Sequence, residues 1–139
     1  MSAKPGWTQW IKSRSPIAVV NTRPSTNKYG ARAVRVDGIL FDSTREAARY
    51  HELKLLIMAG LISDLEIHPG FALIVAEESG PPWVFITVGQ FHADFKYKDR
   101  RTGLWVVEDV KSHPTKTEAY KLRKRIVEAR YKIKIVEIE

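Results

Sequence analysis

The stretch Trp105-Val-Val-Glu-Asp-Val-Lys111 decides the predicted fold, because it has the features of a mostly buried β-strand. Its valines suit the interior of a sheet, and the side chains of a strand alternate between its two faces. Asp109 and Lys111 therefore share one face of the predicted strand, and Glu108 lies on the other. The stretch thus predicts a core strand that carries an acid and an amine side by side.

Asp94 stands in a second strand-like stretch, Phe91 to Tyr97. If this stretch and Leu104 to Lys111 form an antiparallel hairpin centred between residues 101 and 102, Asp94 lies directly opposite Asp109. The Cβ atoms of opposed residues are about 5 Å apart, so two carboxylates there repel by roughly 3 to 4 kcal/mol at an effective dielectric constant near 20. A divalent cation between them would turn this repulsion into attraction, and two carboxylates beside an amine suit metal-assisted cleavage of a phosphodiester. The alternative is that both aspartates lie at solvated strand ends.

Length and composition predict a single folded domain. The chain has 139 residues, of which 44% are hydrophobic, with four Trp and no Cys. Without Cys, disulfides and thiolate zinc sites are excluded. The four histidines lack the spacing of a zinc site; they are His51, His68, His92 and His113. No apolar run approaches the roughly 18 residues that a membrane span needs, so we expect a soluble, cytoplasmic protein with no membrane partner.

Positive charge is concentrated at the N-terminus. The net charge is +7, and the first 36 residues carry seven Lys or Arg and no Asp or Glu. We predict that residues 1–27 form a basic arm, flexible or loosely docked, that contacts DNA phosphates. The alternative is an acid-poor transit peptide, which Pro5, Pro16 and Pro24 disfavour because they interrupt an amphipathic helix. A second basic cluster, Lys116 to Lys134, predicts either phosphate contacts or a solvated helix face.

Hydrophobic periodicity and turn signals predict the order of the elements in the remaining domain, residues 28–139. Asp37-Gly38 predicts a two-residue hairpin between strands at 31–36 and 39–41. Ser43-x-x-Glu46 is a capping box that begins an amphipathic helix ending near Gly60. The remaining predicted elements are strands at 65–67, 71–75, 84–97 and 104–111, a turn at 77–82, a basic helix from 115 or 117 to about 130, and a last strand at 133–138.

This order of elements, with acids on the central strands, resembles the PD-(D/E)XK nuclease superfamily. The motifs that carry the resemblance are Phe41-Asp-Ser-x-x-Glu46-Ala, Ala93-Asp94-Phe-x-Tyr97 and Val107-Glu-Asp109-Val-Lys111. More closely, the chain from about residue 28 to its end resembles a poorly characterised family of small phage and prophage proteins expected to be endonucleases. That likeness rests on Lys28-Tyr-Gly30, Asp37-Gly38, Leu53-Lys-Leu-Leu56 and Ile62-Ser-Asp-Leu65. The resemblance implies an α/β, restriction-endonuclease-like fold: a central mixed β-sheet flanked by helices (an αβββαβ core), preceded by an N-terminal hairpin and the basic arm.

The resemblance also implies roles for individual residues. Asp94 matches the first metal-binding aspartate of the superfamily, Asp109 the second acidic ligand and Lys111 the motif lysine. Glu46 matches a helix glutamate found in junction resolvases and in a transposase endonuclease subunit. The metal ligands expected are Asp94, Asp109, Glu46 and the Val110 carbonyl, with Mg²⁺ as the ion and Mn²⁺ as its substitute. Lys111 is expected to orient the attacking water or to neutralise the transition state.

For three residues, the sequence leaves more than one role open. Because Glu46 is the third residue after Ser43, its carboxylate could instead accept from the Ser43 backbone N–H, as in a capping box worth on the order of 1 kcal/mol. Glu108 is predicted to be an exposed or hydrogen-bonded carboxylate, with a share in a second metal site as the alternative. His68-Pro69 stands where the resemblance implies Gln-Pro, which leaves the role of His68 open.

The sequence thus predicts a metal-dependent DNA endonuclease that acts on branched or recombination-intermediate DNA, such as a Holliday junction, for a phage or prophage in a bacterial host. Cutting two strands would need two active sites, so we expect a homodimer. The expected DNA-contacting residues are Lys28, Arg32, Arg35, Lys116, Lys121, Arg123 and Lys124. The alternatives are an endonuclease subunit of a transposase or packaging machine, and a non-catalytic DNA-binding module.

Overall fold

The computed structural model describes residues 32–76, 81, 84–111 and 116–139. Several predicted features lie outside these ranges: the arm at residues 1–27, Lys28, and most of the turn at 77–82. Within the described part of the chain, the elements form a mixed α/β protein. They are β1 (Val34–Val36), β2 (Ile39–Phe41), α1 (Thr44–Met58), β3 (Ile62–Ile67), β4 (Gly70–Ala76), β5 (Phe85–His92), β6 (Phe95–Asp99), β7 (Trp105–Val110), α2 (Glu118–Tyr131) and β8 (Ile135–Ile138).

The N-terminal hairpin and the start of α1 confirm their sequence signals. β1 and β2 pair antiparallel across Asp37 and Gly38, whose φ angles of 51° and 79° are those of a type I′ turn. The N-cap of α1 is Ser43, whose hydroxyl accepts from the Glu46 backbone N–H at 3.1 Å. In the same way, Thr117 is the N-cap of α2. Both predicted caps therefore fix where a helix begins.

A four-stranded mixed sheet is the centre of the fold. Its strand order is β3-β6-β7-β8, with β7 and β8 parallel and the other neighbours antiparallel. β6 and β7 pair in the register that the turn centre predicted, from Lys98 opposite Trp105 to Phe95 opposite Glu108. The next pair in this register is Asp94 and Asp109. The predicted register is thus confirmed as far as Phe95 and Glu108, and the direct opposition of the two aspartates stays a prediction.

The predicted single strand from residue 84 to residue 97 is wrong. The chain breaks at Ala93-Asp94 into β5, which pairs with β4, and β6, which pairs with β3 and β7. At the break the Asp94 N–H donates to the Glu108 carbonyl at 3.0 Å, and the Val110 N–H donates to the Asp94 carboxylate at 2.6 Å. The Asp94 carboxylate takes the place of a main-chain acceptor for the Val110 N–H. The hydrogen-bond ladder between β6 and β7 therefore ends here, and β5 pairs with β4 instead.

Each side of the central sheet has its own buried cluster. On the α1 side, Phe95, Tyr97 and Val110 pack with Phe41 and Leu53. On the α2 side, Val107 and Ile135 pack with Tyr120, Val127 and Phe91. Neither helix in the described ranges is both long and apolar enough to cross a membrane. The two clusters fix which face of β7 each acidic residue occupies.

Candidate active site

Two adjacent acids on β7 face opposite sides of the sheet and have different surroundings. Glu108 is buried on the α1 side, where Arg49 donates to both of its carboxylate oxygens at 2.8 and 2.6 Å. The Tyr97 hydroxyl donates a further bond at 2.6 Å. Burial, and then the Glu108 carboxylate, raise the pKa of Tyr97, so this hydroxyl keeps its proton. The sequence predicted that Glu108 is an exposed or hydrogen-bonded carboxylate. The structure shows that it is hydrogen-bonded and buried.

Asp109 is fully buried on the α2 side. Among the described residues no group donates a hydrogen bond to either of its carboxylate oxygens. Its nearest cation is Lys111, whose Nζ lies 3.5 Å from Oδ2, so the two residues share one face as predicted. The Tyr120 hydroxyl bonds to Glu137 at 3.4 Å and also approaches Asp109. Burial, and then the charge of Asp109 and its contact with this hydroxyl, raise the pKa of Tyr120. A buried carboxylate with so few partners is costly unless a cation joins it.

Lys111 is held at the mouth of the site. Its backbone N–H donates to the Ile138 carbonyl at 2.9 Å, which continues the parallel pairing of β7 and β8. Its ammonium lies 5.4 Å from the centre of the Tyr120 ring. The side chain remains about one quarter exposed, so the ammonium is accessible to solvent. The structure thus places a cation between the buried Asp109 and solvent.

Asp94 lies at the break between β5 and β6 and is almost completely buried. One carboxylate oxygen accepts from the Val110 N–H, which orients the group at the end of β7. The backbone also joins this break to the connection between β3 and β4. The His68 N–H donates to the Asp94 carbonyl at 2.8 Å, and the Ala93 N–H donates to the Pro69 carbonyl at 3.1 Å. The two connections are therefore held side by side.

Glu46 approaches Asp94 from the first turn of α1. Its carboxylate accepts from the Asp42 N–H at 3.2 Å, one residue before the Ser43 N–H that a capping box would use. Glu46 is nevertheless buried, and its carboxylate, the imidazole of His68 and the carboxylate of Asp94 offer ligand atoms that all lie within 4.8 Å of one another. The carboxylate of Glu46 thus bonds to Asp42 and not to Ser43 as the capping box predicted, and its role as a metal ligand stays a prediction.

His68 is the site residue whose role the sequence left open. The sequence carried one usable signal, because a proline interrupts strand pairing: β3 ends at Ile67, and His68 and Pro69 form the connection to β4. That signal locates a strand end and does not reveal that the β5–β6 break lies beside it. Asp109 is not part of this group of three, and it pairs instead with Lys111.

A groove of about 250 Å³ opens beside Lys111. Gln90 and His92 from β5 and Thr117, Tyr120 and Arg123 from α2 line it together with Phe91 and Lys111. Among the described residues no carboxylate pairs with Arg123. The groove therefore has two cationic groups at its wall, Lys111 and Arg123.

The other predicted DNA-contacting residues are dispersed. Arg32 and Arg35 are exposed near β1, and Arg35 donates to the Gly38 carbonyl. On the C-terminal side the lysines have carboxylate partners: Lys116 pairs with Glu137 and Glu139, Lys121 with Glu118, and Lys124 with Glu137. Of the predicted residues that the structure describes, only Arg123 lines the groove beside Lys111.

Fold and site together define a mixed α/β protein whose central sheet carries a buried cluster of acids with one lysine and one histidine. A family model described as "Protein of unknown function (DUF1064)" matches residues 26–138. The chain therefore belongs to the DUF1064 family. Comparison with curated proteins and with solved structures gives no match.

Proposed function

We propose that this protein is a metal-dependent DNA endonuclease with a restriction-endonuclease-like fold. The observation that carries the proposal is the placement of Asp94 and Asp109 at the end of the β6–β7 pairing, both buried, with Lys111 on the same face as Asp109. The resemblance to PD-(D/E)XK motifs assigns catalytic roles to these three residues and to Glu46. The mixed sheet between two helices fits the topology that the resemblance implies.

The residues present fit a divalent cation. Carboxylate oxygens are the ligands that Mg²⁺ and Mn²⁺ prefer, and both oxygens of Asp109 lack a hydrogen-bond donor among the described residues. Asp94, Asp109 and the Val110 carbonyl would hold the ion, with Glu46 as a further oxygen ligand. When bound, such an ion polarises a scissile phosphate and lowers the pKa of a bound water.

The remaining chemistry belongs to the side chains themselves. Lys111 is close enough to solvent to contact a non-bridging phosphate oxygen and neutralise charge that develops there. Asp109, 3.5 Å from the ammonium, keeps this side chain at the site. Arg123 and the groove it lines would hold the neighbouring phosphate. Cleavage would proceed by direct attack of water, without a covalent enzyme intermediate.

Branched DNA is the proposed substrate, and its support is the match of Glu46 to the helix glutamate of junction resolvases. Resolution of a junction requires two cuts, so the active form would be a homodimer. A DNA-binding module without activity would account for the basic residues, but it gives no reason to bury Asp94 and Asp109 together.

Cleavage assays on labelled duplex, flap, single-stranded and four-way-junction DNA test the proposal, with Mg²⁺, Mn²⁺ or EDTA. We expect metal-dependent cutting by the wild type that Lys111→Ala and Asp109→Asn abolish, while DNA binding is kept. Lys98→Ala and Asp64→Asn are matched controls, because both residues are exposed, and the positive φ of Asp64 is one that asparagine tolerates. Tight binding with no cutting of any substrate would favour the binding module.

A further inference from the structure

His68 is a buried imidazole for which the proposed chemistry has no use. It is only 4% exposed, and within the described part of the chain its Nε2 has no hydrogen-bond partner. That nitrogen lies 3.8 Å from Oε2 of Glu46. Hydrogen bonds between nitrogen and oxygen are about 2.7 to 3.2 Å long, so the two groups approach each other without bonding.

The surroundings of His68 hold the ring in this position. The backbone of His68 has a left-handed φ of 54°, and its backbone N–H donates to the backbone carbonyl of Asp94. The Phe41 ring lies edge-on to the imidazole, with ring centres 5.9 Å apart. The orphaned nitrogen is therefore directed at the acids by packing and by the backbone.

The spacing of the three side chains is that of ligands around one ion. Ligand atoms about 2.1 Å from an octahedral ion lie about 3 Å apart when adjacent and about 4.2 Å apart when opposite. The ligand atoms of Glu46, His68 and Asp94 all lie within 4.8 Å of one another, so small side-chain movements bring them into this range.

The geometry points to a mixed nitrogen and oxygen metal site, formed by Glu46, His68 and Asp94, that binds a first-row transition-metal ion such as Co²⁺ or Ni²⁺ more tightly than Mg²⁺. Imidazole nitrogen is a good ligand for these ions, whereas Mg²⁺ selects oxygen. The inference deepens the proposed function, because Glu46 and Asp94 are also ligands of the proposed catalytic ion, and it rests on that function only for the use of the bound ion in cleavage.

The test is direct metal binding by the full chain after removal of metal by chelation. Co²⁺ and Mg²⁺ are titrated by calorimetry, and ¹H NMR of the Co²⁺-loaded protein reports imidazole ligation through a hyperfine-shifted ring N–H signal that disappears in D₂O. His68→Gln keeps an oxygen in place of the nitrogen. His68→Asn is a second variant, because asparagine tolerates the positive φ at this position. Unchanged circular dichroism and urea midpoints establish that each variant is folded.

We expect the shifted signal in the wild type and its absence in both variants. Co²⁺ affinity should fall by at least about tenfold, the lower end of the loss seen when even a hydrogen-bonding partner of a ligand is removed. Mg²⁺ affinity should change by less than about threefold, since the variants keep an oxygen donor. Wild type that binds Co²⁺ without the shifted signal, or that does not bind it, overturns the inference, as does equal Co²⁺ affinity in a folded variant.

The cleavage assays separate this result from the fate of the proposed function. Binding of Co²⁺ through His68 with no cleavage of any DNA would support the site and refute the nuclease. Cleavage with Mg²⁺ that both His68 variants retain in full, with no imidazole signal in the Co²⁺ protein, would support the nuclease and refute the site.

Discussion

Arg49→Met tests whether Glu108 is a structural acid. The substitution removes both charge-assisted hydrogen bonds, at 2.8 and 2.6 Å, from a carboxylate that is 2% exposed. Among the residues that the structure describes, the Tyr97 hydroxyl would then be the one partner left to this carboxylate. Breaking a buried ion pair by removing one partner costs about 3 to 5 kcal/mol. Because the Arg49 side chain is itself 20% exposed, we expect the lower end, about 3 kcal/mol.

Urea unfolding followed by circular dichroism measures this loss, and a chain of this size should also show a fall in Tm of about 10 °C. Arg45→Met is the matched control, since Arg45 is exposed on the same helix, and its effect should lie within about 0.5 kcal/mol. The double variant Arg49→Met with Glu108→Gln should be more stable than Arg49→Met alone, because the buried charge has been removed. Two results would refute the reasoning. One is a loss of less than about 1 kcal/mol in the free energy of unfolding of Arg49→Met, and the other is a loss in the double variant equal to the sum of the losses in the two single variants.

Three further predictions concern charge. Hydrogen bonds from Lys124 and Lys116 lower the pKa of Glu137 to about 2. The contribution of Glu137 to stability is therefore present above about pH 4.5 and is lost as the pH falls towards 2. In urea unfolding at about pH 4.5 and about pH 2, the free energy of unfolding of Glu137→Gln should fall less between the two pH values than that of the wild type. Arg123→Ala should weaken DNA binding and lower the salt slope of the affinity by about 1, whereas Arg125→Ala, on another face of α2, should change it less; equal slopes would remove Arg123 from the interface. Deletion of residues 1–27 should lower salt-dependent affinity more than the cleavage rate, and an unchanged salt slope would remove the arm from DNA binding.

Local signals predicted much of the fold because they act over short distances. The turn centred between residues 101 and 102 set the β6–β7 register, and the caps at Ser43 and Thr117 set where the helices begin. The break at Ala93-Asp94 was not predicted, because it depends on a bond between the Asp94 side chain and the Val110 N–H. No local pattern reveals that a carboxylate will replace a main-chain acceptor in a strand that lies elsewhere in the sequence.

Local signals also predicted one part of the candidate site, whereas tertiary packing decides the other part. The β6–β7 register, which would set Asp94 opposite Asp109, follows from one hairpin and could be predicted. The approach of Glu46 and His68 depends on how α1 and the β3–β4 connection pack against the β5–β6 break, which only the tertiary structure decides. His68 was identified as a departure from the resemblance, but its position beside Glu46 was not predicted.

The contrast between adjacent acids on β7 is the strongest physical argument for a ligand at this site. The fold neutralises Glu108 with Arg49 and Tyr97, which shows that a buried acid on this strand can be given partners from the protein alone. Asp109 shares its face with Val107, which is buried in the core, so a valine at 109 would satisfy the sheet without the several kcal/mol that an isolated buried charge costs. Lys111 at 3.5 Å offsets part of that cost, but it leaves both Asp109 oxygens without a donor among the described residues. A cation bound at Asp109 would explain why the chain keeps an acid that costs so much stability. The unsatisfied carboxylate therefore supports the proposal of a metal-dependent function more than the motif does.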